Sequence, residues 1–450
     1  MHLLTIVAAL ALVASANVHA RPMHAAIEPH YHRYLEERAD MQVEYEAWMN
    51  KFKDSASVNG WIPVSEARSA DEEQEDHLQR FFLTKQKIKE MELENPDAQF
   101  STDSPFTLLT DDEFNAYVGN AYRKADDDDD NGVRRLRGAY DWSYEYNWTS
   151  DDGYDPESSN ADRREPFETD DASSENEFTG NEGDAPLGHS NLPVAPEGDD
   201  TVDNGADGGK KLPVSPEGDD GADDTNANDA GSGTQGSYGI IDWTRSRCMS
   251  PIQNQGQCGS CWAFASIAAV ESMECILSDR KTLPKYSEQQ LTSCNTRNDG
   301  CDGGAPRYAF QYIQQNGLCT QRAYPYTSSN NRNSECNVND CERSYPVVSG
   351  TASVSGENGL VRILKQHPVV VAVAAGNSAW KQYEGGVLSS CETSKIDHIV
   401  LAVGYDESTI KIRNSWGTRW GESGYIRLRR GISGDGACSV LSDISYPEME

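Results

Sequence analysis

A cysteine, a histidine and an asparagine can make a nucleophile, its base and the group that orients the base. This chain holds such a set in Cys261, His398 and Asn414. Cys261 heads the largely apolar run Trp262–Ile276, whose small residues at helical spacing predict a buried helix. A thiol at a helix N-terminus meets the positive end of the dipole, so its thiolate forms more easily. The ordinary alternative is that Cys261 is half of a disulfide, as most cysteines of exported proteins are. His398 opens the strand-like stretch His-Ile-Val-Leu-Ala-Val-Gly-Tyr, an unfavourable place for an imidazole without a task. Alone it reads as a structurally satisfied histidine. Asn414 ends the next predicted strand, and adjacent antiparallel strands can set the start of one beside the end of the other.

The elements carrying these residues lie in a half of the chain that differs physically from the rest. Positions 237–450 hold 21 acidic and 20 basic side chains, which leaves 52 acidic and 19 basic ones before them. Nearly all of the net charge of −34 is therefore N-terminal. Such an anionic segment repels phosphate, which argues against nucleic-acid and anionic-membrane binding. All 11 cysteines lie in the C-terminal half, and the odd number leaves one thiol over if the others pair. Cys258-Gly-Ser-Cys261 is the one CxxC, and without a second pair it argues against a metal site. Met1–Ala20 reads as a signal peptide of the secretory route: Leu3–Val13 is apolar, too short to span a bilayer, and followed by small residues ending Val18-His19-Ala20.

Taken in order, residues 21–120 read as ordered and partly helical. Asp76–Asn95 is an amphipathic helix with apolar positions Leu78, Phe81, Phe82, Ile88 and Met91 and charged residues between them. Thr110 and Glu113 form a capping box for a short helix. Residues 121–236 contain Asp126–Asp130, few aliphatics, and a repeated segment (Leu192–Asp200 and Leu212–Asp220). They read as an acidic, disordered linker that cannot bury enough apolar surface to offset ordering entropy. It carries the sequon at Asn147, a candidate glycosylation site. The basic island Arg134–Arg137 is either a processing site or a counter-charge to the aspartates. Residues 237–450 read as globular, helices first and strands later, which predicts an α+β domain of two packed subdomains.

Gln255–Ala265, Asp397-His398 and Asn414–Leu428 together resemble the papain-like cysteine peptidases. That family's signature is C-G-[SA]-C-[WY] with His and Asn about 130–150 residues downstream; here they follow Cys261 by 137 and 153 residues. The resemblance runs over about Gly239–Pro447 and takes in Asp242-Trp243, Ser287-Glu288-Gln289, Gly300–Gly304 and Ala323-Tyr-Pro-Tyr326. It implies a papain-like fold with a helical left and an antiparallel β-barrel-like right subdomain. It implies an endopeptidase with Cys261 as nucleophile, held as thiolate by His398 imidazolium, and Asn414 orienting the ring beneath Trp416. Gln255 would offer its amide to the oxyanion beside the Cys261 N–H. The resemblance implies disulfides Cys258–Cys301, Cys294–Cys336 and Cys391–Cys438, and leaves Cys248, Cys275, Cys319 and Cys341 unassigned.

By the same resemblance Gly303, Gly304, Ala305, Pro306, Ala372, Ile396, Asp397, Trp416 and Asp443 line the substrate cleft. Asp443 would lie at the floor of the pocket for the second residue before the scissile bond and so accept basic as well as apolar side chains; the alternative is that it turns to solvent. Asp76, Arg80 and Asn95 match the inhibitory helix of cathepsin-L-like propeptides, while Thr84, Lys87 and Met91 depart from it. Residues 21–120 would then inhibit their own peptidase domain, which would begin near Tyr238 after activation. Protein or peptide substrates, no cofactor, no metal, no nucleic acid, no membrane and a monomer are implied, in the extracellular space or a lysosome or vacuole. The rival reading is an idle binding protein whose acidic linker is the functional part.

Overall fold

A computed structural model describes residues 22–63, 69–119, 121–125, 239–279, 281–339 and 341–449. The signal peptide, Asn147, Arg134–Arg137 and nearly all of the linker lie outside the described residues.

Two long helices dominate the N-terminal segment, α1 (Tyr31–Asn59) and α2 (Ala70–Glu94). Gly60 ends α1 in the left-handed conformation, and the Ser69 hydroxyl caps α2 by accepting from Glu72 N. Their seam buries Tyr34, Met41, Trp48 and Phe52 of α1 against Leu78, Phe81, Phe82 and Met91 of α2. The amphipathic reading of α2 needs one correction, because Glu75, Asp76, His77, Gln79 and Arg80 are buried as well. They are buried because each finds a partner. Tyr34 Oη donates to Glu75 (2.7 Å), Arg38 pairs with Glu75 (2.8 Å), and Arg80 lies between Asp76 (2.9 Å) and Glu113 (2.6 Å). The short helix α3 (Asp111–Val118) starts at the Thr110–Glu113 capping box.

In the C-terminal part, α4 (Cys261–Leu277) is buried along almost its whole length, which its Ala, Ser and Cys content permits. With α5 (Glu288–Cys294) and α6 (Pro306–Asn316) it builds a helical lobe around Trp262, Ile267, Val270, Leu291, Phe310 and Ile313. The second lobe is a seven-stranded sheet. The eleven described strands are β1 (Ala98–Phe100), β2 (Ile241–Asp242), β3 (Leu318–Cys319), β4 (Arg343–Ser344), β5 (Gly350–Val354), β6 (Val369–Val373), β7 (Tyr383–Gly386), β8 (His398–Tyr405), β9 (Thr409–Arg413), β10 (Tyr425–Arg429) and β11 (Ile444–Glu448). The sheet runs β10-β9-β8-β6-β11-β5, with β2 added to β8; every pairing in it is antiparallel. Strands β6 and β8 are buried at every position, which explains why they read as unbroken apolar runs rather than alternating ones.

One apolar cluster runs without a break from Tyr34, Trp48, Phe82, Phe106 and Phe114 of the N-terminal segment into Trp380, Trp416, Trp420 and Ile412 of the sheet lobe. The segment also extends the second lobe by a strand, β1 pairing antiparallel with β7. Asn95, 1 % exposed, accepts from the N–H groups of Ser389 and Ser390 (3.1 and 2.8 Å). Five disulfides close the C-terminal part: Cys258–Cys301, Cys294–Cys336 and Cys391–Cys438, together with Cys248–Cys275 and Cys319–Cys341. Cys261 is the free cysteine.

Candidate active site

Cys261 is the first residue of α4, immediately after Ser260, and no side chain caps that end. His398 is the first residue of β8 and Asn414 follows β9, so the antiparallel pairing of β8 with β9 sets imidazole and carboxamide together. His398 Nε2 lies 2.8 Å from Asn414 Oδ1. Asn414 Oδ1 also accepts from the N–H of Ser415 (2.8 Å), which fixes it as the oxygen. Nε2 must therefore carry the proton, and Nδ1 is left as an acceptor, buried and without a hydrogen-bond partner. The Trp416 indole stacks on the imidazole with centroids 4.8 Å apart and an interplanar angle of 25°, and it is fully buried. Water is thus kept from the His398–Asn414 bond.

Burial acts on both members of the pair. Both Cys261 and His398 are fully buried. Burial pushes the Cys261 thiol up to about 12, although backbone hydrogen bonds from Ile399 and Trp262 pull the other way. Burial likewise pushes the His398 imidazole down to about 4, the bond to Asn414 opposing it. Both shifts favour the uncharged thiol and the uncharged imidazole while the site is covered. Ala121–Arg123, the opening residues of the stretch read as linker, lie along the Gly303–Gly304 edge, and Ala121 shares the apolar cluster of Cys261. Gly304 N–H donates to Ala121 O (2.9 Å), Arg123 N–H donates to Gly304 O (3.0 Å), and Tyr122 runs parallel to Gly304. Gly303, at φ +111°, permits this approach, since a Cβ there would fall 2.9 Å from Ala121 O. The acidic segment consequently begins after these residues, whose apolar and aromatic side chains find a surface to bury against.

The carboxamide of Gln255 is held at both ends. Ser415 Oγ donates to Gln255 Oε1 (2.5 Å), and Gln255 Nε2 donates to Cys258 O (2.9 Å). Asp443 is half-buried and accepts from Tyr122 Oη at 2.7 Å. Ala372 lies on β6 and donates its N–H to Asp443 O (3.0 Å). Ala305 and Pro306 begin α6 beside the Gly303–Gly304 edge, and Ile396 precedes Asp397. Asp397 is engaged elsewhere, its carboxylate accepting from Ala375 and Gly376 N–H (2.8 and 3.1 Å); burial raises its pKa. Ser415 and Tyr326 lie within family-like motifs whose type and spacing give them no role, and Tyr122 has no signal in sequence. No group of His, Cys, Asp and Glu among the described residues could hold a metal ion.

Residues 239–448 match the family described as papain family cysteine protease. The chain is 40 % identical over 216 residues to cysteine proteinase COT44 of Brassica napus, covering 46 % of this chain and 64 % of that protein. It is 39 % identical to the Carica candamarcensis cysteine protease CMS1MS2, solved in complex with E-64, over 47 % of this chain and 98 % of that one, with a TM-score of 0.45. The proform of the ragweed pollen cysteine protease Amb a 11 shares the fold over 96 % of this chain and 89 % of its own, with a TM-score of 0.59 at 22 % identity. The chain spans about three fifths of the length of the curated relatives it matches.

Proposed function

The chain belongs, through residues 239–448, to the papain family of cysteine proteases, and on that premise we propose that it is the inactive precursor of an endopeptidase. The observation that carries the reading is the free Cys261 at the head of α4, in a protein whose ten other cysteines are bridged, within reach of the backbone of Ile399 next to the oriented His398. With residues 22–125 displaced, water returns to the cleft, the desolvation that keeps both groups neutral falls away, and Nδ1 of His398 takes the thiol proton. The thiolate attacks the scissile carbonyl carbon. The oxyanion is met by the Cys261 N–H and the Gln255 amide. His398 then gives its proton to the leaving amine, an acyl-enzyme remains, and a water activated by the same imidazole releases the acid.

Residues 22–125 act in this reading as the inhibitory prosegment. Beyond the cleft contacts they are held by the β1–β7 pairing, the Asn95 bonds and the ion pair Lys87–Glu392 (2.8 Å). Asp443 is read as the floor of the pocket for the second residue before the scissile bond, where its carboxylate would accept Arg and Lys; its bond from Tyr122 Oη supports that reading. Met1–Ala20 directs the precursor into the secretory route, towards the exterior or an acidic vacuole. Labelling with an epoxide thiol inhibitor after acid activation tests the whole. Cys261 is expected to take up the label and Cys261→Ser to take up none. Unlabelled Cys261 after proven loss of the prosegment defeats the enzyme in favour of an idle binding protein.

A further inference from the structure

The oxyanion site proposed above has two donors on two different pieces of chain, the Gln255 amide on a loop and the Cys261 N–H at the head of α4. The Gln255 amide reaches Cys258 O directly (2.9 Å), and one phenol touches both pieces from the other side. Tyr326 Oη donates to the carbonyl of Gln255 at 2.8 Å. Ser260 Oγ lies 2.8 Å from the same Oη; because the phenol proton is committed to Gln255, the Ser260 hydroxyl is the donor in that bond. Ser260 immediately precedes Cys261, so Tyr326 spans the backbone of one donor and the residue before the other.

The phenol stands on a fixed base. Its ring packs edge-on against Phe264, one turn into α4, with centroids 4.9 Å apart. The following residues, Thr327 and Ser328, donate their N–H groups to Gln289 Oε1 (2.7 and 3.1 Å), and Gln289 is fully buried in α5. The turn also accepts from Gln257 N–H through Ser329 O (2.8 Å), on the far side of Gly256. Gly256 sits at φ +63°, and a Cβ there would come within 2.3 Å of Ser329 O, so loop and turn are in direct contact. Ser415 fixes the Gln255 carboxamide from the sheet lobe; Tyr326 fixes its main chain from the helical lobe.

We propose that Tyr326 is a positioning residue of the oxyanion site, a clamp that sets the distance between the Gln255 amide and the Cys261 N–H. This rests on the peptidase reading. The clamp touches no reacting atom. Its effect should appear where negative charge develops on oxygen and nowhere else. Burial raises the phenol pKa, so it remains a donor throughout the working range.

The test uses the full chain after prosegment release, as wild type, Tyr326→Phe, Gln255→Ala and the double variant. Removing a whole oxyanion donor costs about 100- to 1,000-fold in kcat, and a misplaced group up to about 100-fold. Loss of the clamp is therefore expected to lower kcat about tenfold with KM changed less than about twofold. Inhibition by a peptide aldehyde, whose adduct presents an oxyanion, should weaken by a similar factor. Alkylation of Cys261 by iodoacetamide, which forms no oxyanion, should keep its rate and pH profile. In the Gln255→Ala background the Tyr326 substitution should cost little. An equal loss in that background, an unchanged kcat, or an alkylation rate that falls in step with kcat overturns the clamp. Ser260→Ala, which removes the hydroxyl at the other end with less loss of packing, is expected to repeat the pattern with a smaller amplitude, and provides the test if Tyr326→Phe does not fold. Wild-type Cys261 that resists iodoacetamide after prosegment loss counts against the peptidase reading, not the clamp.

Discussion

Acid should loosen the prosegment through His77, and the slope can be worked from its surroundings. His77 is 3 % exposed in the α1–α2 seam. Its Nδ1 lies 3.0 Å from Tyr45 Oη, and its Nε2 is buried with no hydrogen-bond partner. Burial holds the imidazole below its usual range, Asp76 and Glu73 opposing and Arg80 reinforcing that shift. A free imidazole titrates near about 6.5, so below that pH the unfolded prosegment binds a proton that the docked one refuses. Stability is therefore lost as pH falls from the unfolded value toward the lower folded one, with a limiting slope of about 1.4 kcal/mol, or tenfold in the opening constant, per pH unit. Asp76 and Glu113 have lowered pKa values, with Arg80 among the causes for both, so their contribution is lost only at more acid pH. His77→Gln keeps a partner for Tyr45 and cannot take up the proton. Opening can be read as the rate of Cys261 alkylation in uncleaved chain, counted by intact mass between about pH 7 and 4.5 and divided by the rate for free enzyme. The wild type should steepen below about pH 6.5 and His77→Gln should stay flatter by up to one proton. Parallel curves would refute the argument.

Three other outcomes are expected. Asp443→Ala should cut kcat/KM for a substrate with Arg at the second position before the scissile bond by about 10- to 100-fold, the size of a charge-assisted hydrogen bond, and leave a Leu substrate within about twofold; equal effects on both would remove Asp443 from the pocket. Asn95→Ala strands the N–H groups of Ser389 and Ser390 at the interface, and should weaken prosegment docking by about 1–3 kcal/mol, measured as binding of the isolated prosegment to free enzyme. Arg80→Ala leaves Asp76 without its guanidinium in a buried seam, and should destabilise the prosegment by about 3–5 kcal/mol, seen as a lower denaturant midpoint for the precursor with the free enzyme's unchanged.

Much of this molecule is legible from its residues, and the gaps have physical reasons. Strands β6 and β8 appear as apolar runs and β9 and β10 as apolar–polar alternation, because burial leaves a compositional mark. Strands β5, β7 and β11 do not, since Gly-Thr-Ala-Ser-Val, Tyr-Glu-Gly-Gly and Ile-Ser-Tyr-Pro-Glu alternate weakly and are defined by their partners. Cys261, His398 and Asn414 stand out by type and spacing. Ser415 and Tyr326 are ordinary residues whose importance arises from what lies 2.5–2.8 Å away. The full burial of Cys261 and His398 is not legible either, because it arises from segments far apart in the chain that the fold brings together.

The apolar cluster shared between prosegment and sheet lobe has a further consequence for the life of the enzyme. Phe106 and Phe114 lie edge-on to Trp416, with centroids 5.3 and 5.6 Å away. In the proposed precursor, activation would remove part of the core around which the sheet lobe is assembled. The free enzyme of that reading would keep a conformation reached with partners it no longer has, and its endurance would be a matter of how slowly it unfolds rather than how far the balance favours the native state. Five disulfides shorten the paths by which it could come apart. A molecule so made is built to fold once and work until it fails.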